Sequence, residues 1–384
     1  MLFTFSGGTG HFLPLIPFAR AAENAGHIVA FGAQPGMLAT VTEAGFSAWD
    51  TGGRTLLTTT ERTPLLEFDL ARELSAIRDG YAGLTARERA TQVRRLCAAW
   101  HPDLLVCDEM DFGALVAAEA LGIPYATVIC IASGAFVWPE LIREPLNDLR
   151  NEHRLPPDPE LSMLRRYLIL SPFPPTFREP ANPLPPNAHA IRAVAVESVG
   201  SDDDASWLAG RAARPLVYFT LGTIFNLESG DLFERVLQGL RDLPLDVVVT
   251  VGRELDPQVL GVQPSNVHVR SYIPQSLLLP HCELVVSHAG SGSVVGALAH
   301  GLPMVLVPIG ADQPFNAARC EGLHVGRMLN SVEATPEDVR AAAVAVLGDA
   351  TYTQNAKRLE AEIAALPYPE FGVRLLERLA EQSG

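Results

Sequence analysis

The chain has 384 residues, more than one hydrophobic core ordinarily serves, so two domains of nearly two hundred residues each are expected. Apolar residues make up 48 % and charged residues 19 %, a globular composition, while a formal net charge of −15 excludes nucleic acid or an anionic membrane as the main partner. A phosphate-bearing ligand therefore has to be held by local backbone dipoles. Five scattered cysteines, Cys97, Cys107, Cys130, Cys282 and Cys320, form no C-x-x-C pair and read as buried thiols of a reducing cytoplasm rather than a disulfide framework or zinc site. No stretch reaches the roughly 20 apolar residues of a membrane span. The apolar N-terminus lacks a basic region and breaks at Gly7-Gly8, so it reads as a first strand and not as a signal peptide.

Short apolar runs alternate with amphipathic segments, the pattern of a parallel sheet covered by helices. In the first half, residues 2–6, 27–33, 46–50, 103–108 and 125–130 read as strands, with helices over 16–25 and 112–121 and C-caps at Gly26 and Gly122. After the first strand, Ser6-Gly7-Gly8-Thr9-Gly10-His11-Phe12-Leu13-Pro14 opens a helix. It fails the G-x-G-x-x-G pattern, because Leu13 stands where the third Gly belongs. The second strand ends at Gly32-Ala33-Gln34 without an acidic residue, which weakens NAD binding further. Residues 155 to 186 are Pro-rich and are expected to continue neither a helix nor a central strand. The expected division is a first domain over 1–195, a linker over 196–212 with Asp202-Asp203-Asp204, a second domain over 213–366, and a helical tail over 367–384 packing back on the first domain.

In the second half, strands are expected at 216–221, 246–251, 267–273, 283–287 and 303–308, and helices from near Asp231, Ser291, Asp312 and Pro369. The fold class is thus α/β, with two doubly wound Rossmann-like domains facing across a cleft and ligands at the carboxyl ends of the strands. Ser287-His288-Ala289-Gly290-Ser291-Gly292-Ser293 lies between a strand and a helix. Its glycines permit a tight turn, Ser291 or Ser293 can cap the helix, and free N–H groups at the positive helix end form an anion site. An ordinary strand–helix turn with a capping serine has the same pattern. Asp312-Gln313 follows the strand led by Gly301-Leu302-Pro303-Met304; it suits sugar hydroxyls, or is an N-cap Asp with a polar neighbour. Tyr272-Ile273-Pro274-Gln275 offers an aromatic plane and extended backbone, for a nucleobase or for packing.

The stretch from His288 through Gln313 resembles the signature of family 1 glycosyltransferases: H-x-G-x-x-[S/T], then G-[V/L]-P-M, then D-Q, with the Asp 24 positions after the His. Tyr272 to Gln275 resembles the family's W-x-P-Q element, Leu221-Gly222-Thr223 its phosphate-reaching loop, and Gly8 to Pro14 its G-x-G-H-x-x-P loop. The resemblance runs through the whole chain and is greatest to actinobacterial enzymes that decorate polyketides and other natural products, some of them antibiotics. It implies the GT-B fold and an inverting transfer from a UDP- or dTDP-sugar to a small, largely apolar acceptor such as a polyketide or aromatic aglycone. It implies no metal and no cofactor beyond the nucleotide-sugar co-substrate, no nucleic-acid or membrane partner, and leaves a homodimer open.

Carried over to these positions, the resemblance places His288 and Ser293 on the two phosphates, with backbone help from Gly290, Ser291 and Gly292. Tyr272 lies over the base and Ile273 meets its edge, while Asp312 and Gln313 bind hydroxyls of the sugar. Gly10, Gly222, Thr223 and Gln275 complete the donor site. His11 becomes the general base, because an acceptor hydroxyl is a poor nucleophile until its proton is taken and imidazole titrates near neutrality. Asp108, closing its strand, is the orienting carboxylate, with Asp111 as a rival or a helix cap. Two departures stand out. Gly296 replaces the Glu that grips ribose hydroxyls eight residues after the His, which points toward a dTDP-sugar, and Tyr272 replaces Trp. The irregular insertions at 51–85 and 131–150 are expected to build the acceptor pocket, with Phe12, Phe112, Phe136 and Trp138 as apolar walls or as ordinary core. Rival readings are a sugar-nucleotide epimerase of the same fold and a non-catalytic nucleotide-sugar-binding or activator protein.

Overall fold

Strand β1 (Leu2–Thr4) is wholly buried and runs parallel between β2 (Ala30–Ala33) and β4 (Leu105–Asp108), with Thr4 opposite both Gly32 and Cys107. Such strands read as unbroken apolar runs because both faces of a parallel sheet are covered. The structure is a computed structural model that describes residues 1–53, 62–194, 196 and 214–383. The other strands of the first sheet are β3 (Ser47–Asp50), β5 (Tyr125–Val128), β6 (Leu168–Ser171) and β7 (Ala188–Ala190), in the order β3-β2-β1-β4-β5-β6-β7. The second sheet holds β8 (Leu216–Thr220), β9 (Asp246–Thr250), β10 (Val267–Arg270), β11 (Leu284–Ser287), β12 (Met304–Leu306) and β13 (Gly326–Met328), in the order β10-β9-β8-β11-β12-β13. Every pairing in both sheets is parallel.

In each sheet the connections reverse direction once, between β1 and β4 and again between β8 and β11. Such switch points open a crevice at the strand carboxyl ends, where ligands of these folds bind. The glycine-rich loop follows β1 and Asp108 ends β4. Gly222 follows β8 and His288 follows β11.

The chain divides into two compact units. One comprises Met1–Leu56, Leu70–Val196 and Leu366–Gly384, the other Leu57–Asp69 and Glu197–Ala365. The C-terminal helix Pro369–Ser383 belongs to the first unit, where Val373, Leu375 and Leu376 join the core around Phe3, Phe18 and Leu170. Residues 62–69 belong to the second unit, where Thr63 donates its N–H to Leu227 O and Arg62 pairs with Glu234. The expected linker, Val196 aside, and Asp202 to Asp204 lie outside the described residues.

Three expectations need correction. The Pro-rich region does contain a central strand: β6 occupies the proline-free stretch after Pro159 and lies inside the sheet, while β7, beyond Pro186, forms the edge. The described part of 51–85 is not all irregular. It holds the helix Leu70–Ser75 and a π-helical stretch, Ala76–Thr85, leading into the helix Ala86–Trp100. The helix Ile16–Asn24 ends on Ala25, one residue before the expected Gly26. Among the described residues no helix is long and apolar enough to cross a membrane.

Candidate functional site

In the first unit, His11 lies in the single turn Thr9–Phe12 just beyond β1. Its ring lies across Gly7, whose φ is +137°, and a Cβ on Gly7 would collide with His11 Cδ2. Glycine is therefore required there both for the backbone angle and for the close approach. The Gly7 N–H donates to Oε1 of buried Gln34 at 3.2 Å, which fixes the loop. His11 Nδ1 stands 3.6 Å from Asp108 Oδ2 and 3.4 Å from Cys130 Sγ. Asp108 is fully buried and held by two backbone donors, the N–H of Ser6 to Oδ2 at 2.6 Å and the N–H of Met110 to Oδ1 at 2.5 Å. The imidazole keeps 20 % of its surface exposed, so one side of this pair is reachable from solvent.

The rival Asp111 is spoken for. It accepts the N–H of Ala114 as the N-cap of the helix Phe112–Leu121, and it grips Arg89 at 2.8 and 2.6 Å with both side chains buried. A carboxylate committed to a helix cap and a buried guanidinium is structural, and the sequence left this alternative open.

In the second unit the imidazole of His288 is sandwiched between two glycine backbones. A Cβ on Gly222, whose φ is +77°, would stand 2.7 Å from His288 Nε2, and one on Gly290 would stand 2.5 Å from it. Burial pushes the His288 pKa down to about 4, against a weaker opposing pull from the Thr220 backbone, so the ring is neutral at physiological pH. Its buried Nδ1 makes no hydrogen bond among the described residues. Ala289 and Ala311 both sit at positive φ, +66° and +54°, which non-glycine residues adopt at a cost of about 1 to 3 kcal/mol where surroundings enforce it.

Neither serine caps the helix Ser291–Leu298. Its N-cap is Gly290 without a side-chain bond. Ser291 Oγ instead donates to Asp312 Oδ2 at 2.6 Å, and buried Asn316 donates to Asp312 Oδ2 at 2.7 Å and to Ala289 O at 3.1 Å. Asp312 occupies the N-cap position of the helix Gln313–Gly322, yet its carboxylate makes no capping bond there. Gln313 is buried, with Oε1 accepting from Ile309 N and Gly310 N at 2.8 and 3.1 Å. The first-turn N–H groups of the helix Ser291–Leu298 and the neutral His288 thus line one loop, with the Asp312 carboxylate bonded to its Ser291. Tyr272 is half-buried with the Arg253 guanidinium 4.8 Å from its ring centre, and Ile273 is buried. Thr223 and Gly292 are exposed and Ser293 half-buried.

Residues 234–379 match the family described as erythromycin biosynthesis protein CIII-like, C-terminal domain. The whole chain is similar to the 10-deoxymethynolide desosaminyltransferase of Streptomyces venezuelae, at 27 % identity over 418 residues, which covers 97 % of this chain and 95 % of that enzyme. Among solved structures, the glycosyltransferase SnogD from Streptomyces nogalater matches with a TM-score of 0.77 at 26 % identity, covering 99 % of this chain and 98 % of its own. The spinosyn rhamnosyltransferase SpnG complexed with thymidine diphosphate shares the fold, with a TM-score of 0.83 at 24 % identity over 98 % of this chain and 99 % of that one. The chain is a glycosyltransferase with the GT-B fold.

Not every expected residue of this glycosyltransferase stands at a site. Phe12 is 1 % exposed and packs 5.2 Å from the rings of both Phe5 and Phe31, and Phe112 is also 1 % exposed. Both are core, as helix residues facing a parallel sheet must be, and are withdrawn as acceptor walls. Phe136 is buried, whereas Trp138 is 37 % exposed and donates its indole N–H to Ala135 O at 2.9 Å. Gly10, grouped with the donor residues, lies exposed in the first unit beside His11. Tyr81, on the π-helical stretch, was missed; its ring centre is 6.0 Å from that of His11. A helix with five-residue spacing in a segment holding Gly80 and Gly83 carries no periodic signal, and such stretches recur at functional sites. The Asn316 bonds to Ala289 and Ser291 and the Cys130 contact with His11 join residues 25 or more positions apart, so spacing does not show them.

Proposed function

We propose that this natural-product sugar transferase is an inverting, metal-independent enzyme that moves a sugar from a dTDP- or UDP-sugar to a small apolar aglycone of polyketide or aromatic type, in the cytoplasm. The observation that carries the reading is the partly exposed His11 imidazole beside the doubly anchored Asp108 carboxylate, at the switch point of the first sheet. The acceptor hydroxyl attacks the anomeric carbon in a single displacement, and His11 takes its proton while Asp108 orients the ring and stabilises imidazolium. The diphosphate leaves toward the N-terminus of the helix Ser291–Leu298, where fixed N–H dipoles and the His288 ring meet the developing charge. That dipole cradle is the reason no metal is invoked. Asp312 and Gln313 hold the sugar hydroxyls, and Tyr272 faces the base.

Of the two nucleotides dTDP is favoured. The space a Glu would occupy at position 296 is filled by Gln275, whose Oε1 lies 2.8 Å from where a Cβ on Gly296 would stand. A carboxamide there replaces the carboxylate that grips ribose hydroxyls, which suits a ribose with fewer of them. The thymidine diphosphate carried by the similar SpnG structure agrees with this choice.

The test is acceptor-dependent release of nucleotide from dTDP- and UDP-sugars, for the wild type and His11→Ala. The expected outcome is release only with acceptor present, a kcat lower by about 10² to 10⁴ in the variant, and unchanged dTDP affinity. Turnover of the sugar-nucleotide without acceptor would favour the epimerase reading. Binding without any turnover would favour an activator protein.

A further inference from the structure

His11 Nδ1, an oxygen of Asp108 and Cys130 Sγ all lie within 4.8 Å of one another. The two separations from His11 are close to those of a tetrahedral cation site. With zinc–nitrogen and zinc–oxygen bonds of about 2.1 Å and zinc–sulfur of about 2.3 Å, the edges of a tetrahedron are about 3.4 Å for N···O and about 3.6 Å for N···S. The structure has 3.6 and 3.4 Å. All three side chains are already positioned. Asp108 is held by Ser6 and Met110, Gly7 seats the His11 ring, and the backbone N–H groups of Cys130 and Ile131 both donate to Glu109 Oε1, at 2.7 and 2.6 Å. The imidazole keeps 20 % of its surface exposed, so the cluster is not sealed from solvent on the His11 side.

We propose that this cluster is an inhibitory binding site for a thiophilic divalent cation, zinc above all. One thiolate, one imidazole and one carboxylate select zinc over magnesium or calcium, which prefer oxygen alone. Binding is a balanced exchange: Zn²⁺ joins Nδ1, the carboxylate oxygen and sulfur, the Cys130 thiol releases its proton to solvent, and the imidazole hydrogen passes from Nδ1 to Nε2. No electron moves. The occupied Nδ1 can no longer carry the hydrogen that faces Asp108, and a metal-bound imidazole is a poorer base. Inhibition rests on the assignment of His11 as the base, whereas binding does not.

The test is a titration of the full-length protein with Co²⁺ near neutral pH, read by thiolate-to-cobalt charge-transfer absorption. The expected result is saturation at a single equivalent, displacement by Zn²⁺, and loss of the band in Cys130→Ser and in His11→Gln, with metal affinity down more than about 100-fold in each. Cys97→Ser, altered at a distant buried thiol, keeps the band. Transfer activity falls on adding Zn²⁺ and returns with chelator in the wild type, and Cys130→Ser resists. Absence of the band in the wild type overturns the proposal, as does a band that survives in either ligand variant. Melting curves of both variants check that they fold, and His11→Gln, at a partly exposed ring, decides the matter if Cys130→Ser does not. The cobalt band needs no turnover, so it is decided separately from the transferase reading.

Discussion

The two histidines given roles in the proposed reaction, one in each unit, sit in different surroundings. His11 keeps solvent access and a carboxylate neighbour, as a residue that gains and loses a proton must. His288 is buried between glycine backbones and held neutral, with its pKa pushed from 6.5 down to about 4 by burial. A neutral ring can donate one hydrogen bond to a diphosphate without a charge to desolvate beforehand. The shift also fixes a pH dependence. The unfolded chain protonates this ring below pH 6.5 while the folded chain resists until about pH 4, so the unfolded state binds more protons in that window. Stability contributed by the neutral ring is therefore intact above pH 6.5 and is lost as pH falls toward 4, by about 3 kcal/mol at the bottom. Urea unfolding of the wild type and His288→Asn at pH 7 and pH 4.5 checks this. The wild type is expected to lose more stability than the variant over that interval, and equal losses would assign the acid sensitivity elsewhere.

At the scale of elements, the candidate sites of the two units are built the same way, as a loop after the first strand of a sheet meeting the end of the strand across the switch point. The sharpest test is Gly222→Ala. Its φ of +77° makes any side chain costly, by about 1 to 2 kcal/mol, and the new Cβ stands 2.7 Å from the His288 ring. Gly261 has a similar φ, +67°, but no atom within 4 Å of its would-be Cβ, so Gly261→Ala carries the backbone cost alone. Thermal shift with dTDP is expected to survive in Gly261→Ala and to be lost in Gly222→Ala, while equal behaviour would mean that the seat of His288 does not matter to the nucleotide. This construction also explains what the sequence could and could not reveal. Strand and helix starts at Leu2, Leu216, Leu284, Ser291 and Gln313 were legible within a residue or so, because apolar runs and glycine turns are local signals. Strands β6, β7 and β13 were missed, since prolines lie close to β6 and β7 and pairing partners, not composition, make these segments strands. Ser291 was misread as a cap because its hydroxyl answers to Asp312, 21 residues on. The sequence leaves Phe12 open between wall and core because a helix residue's outward or inward direction depends on where the sheet lies.

For the whole molecule, the consequential feature is that the first unit is closed by the last segment of the chain. The helix Pro369–Ser383 lays Val373, Leu375 and Leu376 into the core of the N-terminal sheet, and its Gly372 lets Phe18 come into direct contact with its backbone. His27 Nε2 and Glu377 Oε1 meet at 2.9 Å on the same face. Full burial of three such side chains contributes about 1.5 to 3 kcal/mol each, hence about 5 to 9 kcal/mol together. A whole domain is commonly stable by only about 5 to 15 kcal/mol. Deleting the chain after Leu366 should therefore cost the first unit most of its stability, although the deletion removes residues at the far end of the sequence. The second unit's core, from Val217 to Val346, contains none of the deleted side chains. Scanning calorimetry of the truncated chain is expected to lose the cooperative transition of the first unit and to keep one transition that dTDP still raises. An unchanged melt would make the helix a surface ornament of the first unit. A lost dTDP response would show instead that the donor cradle depends on this helix, and that the two units are not stable independently.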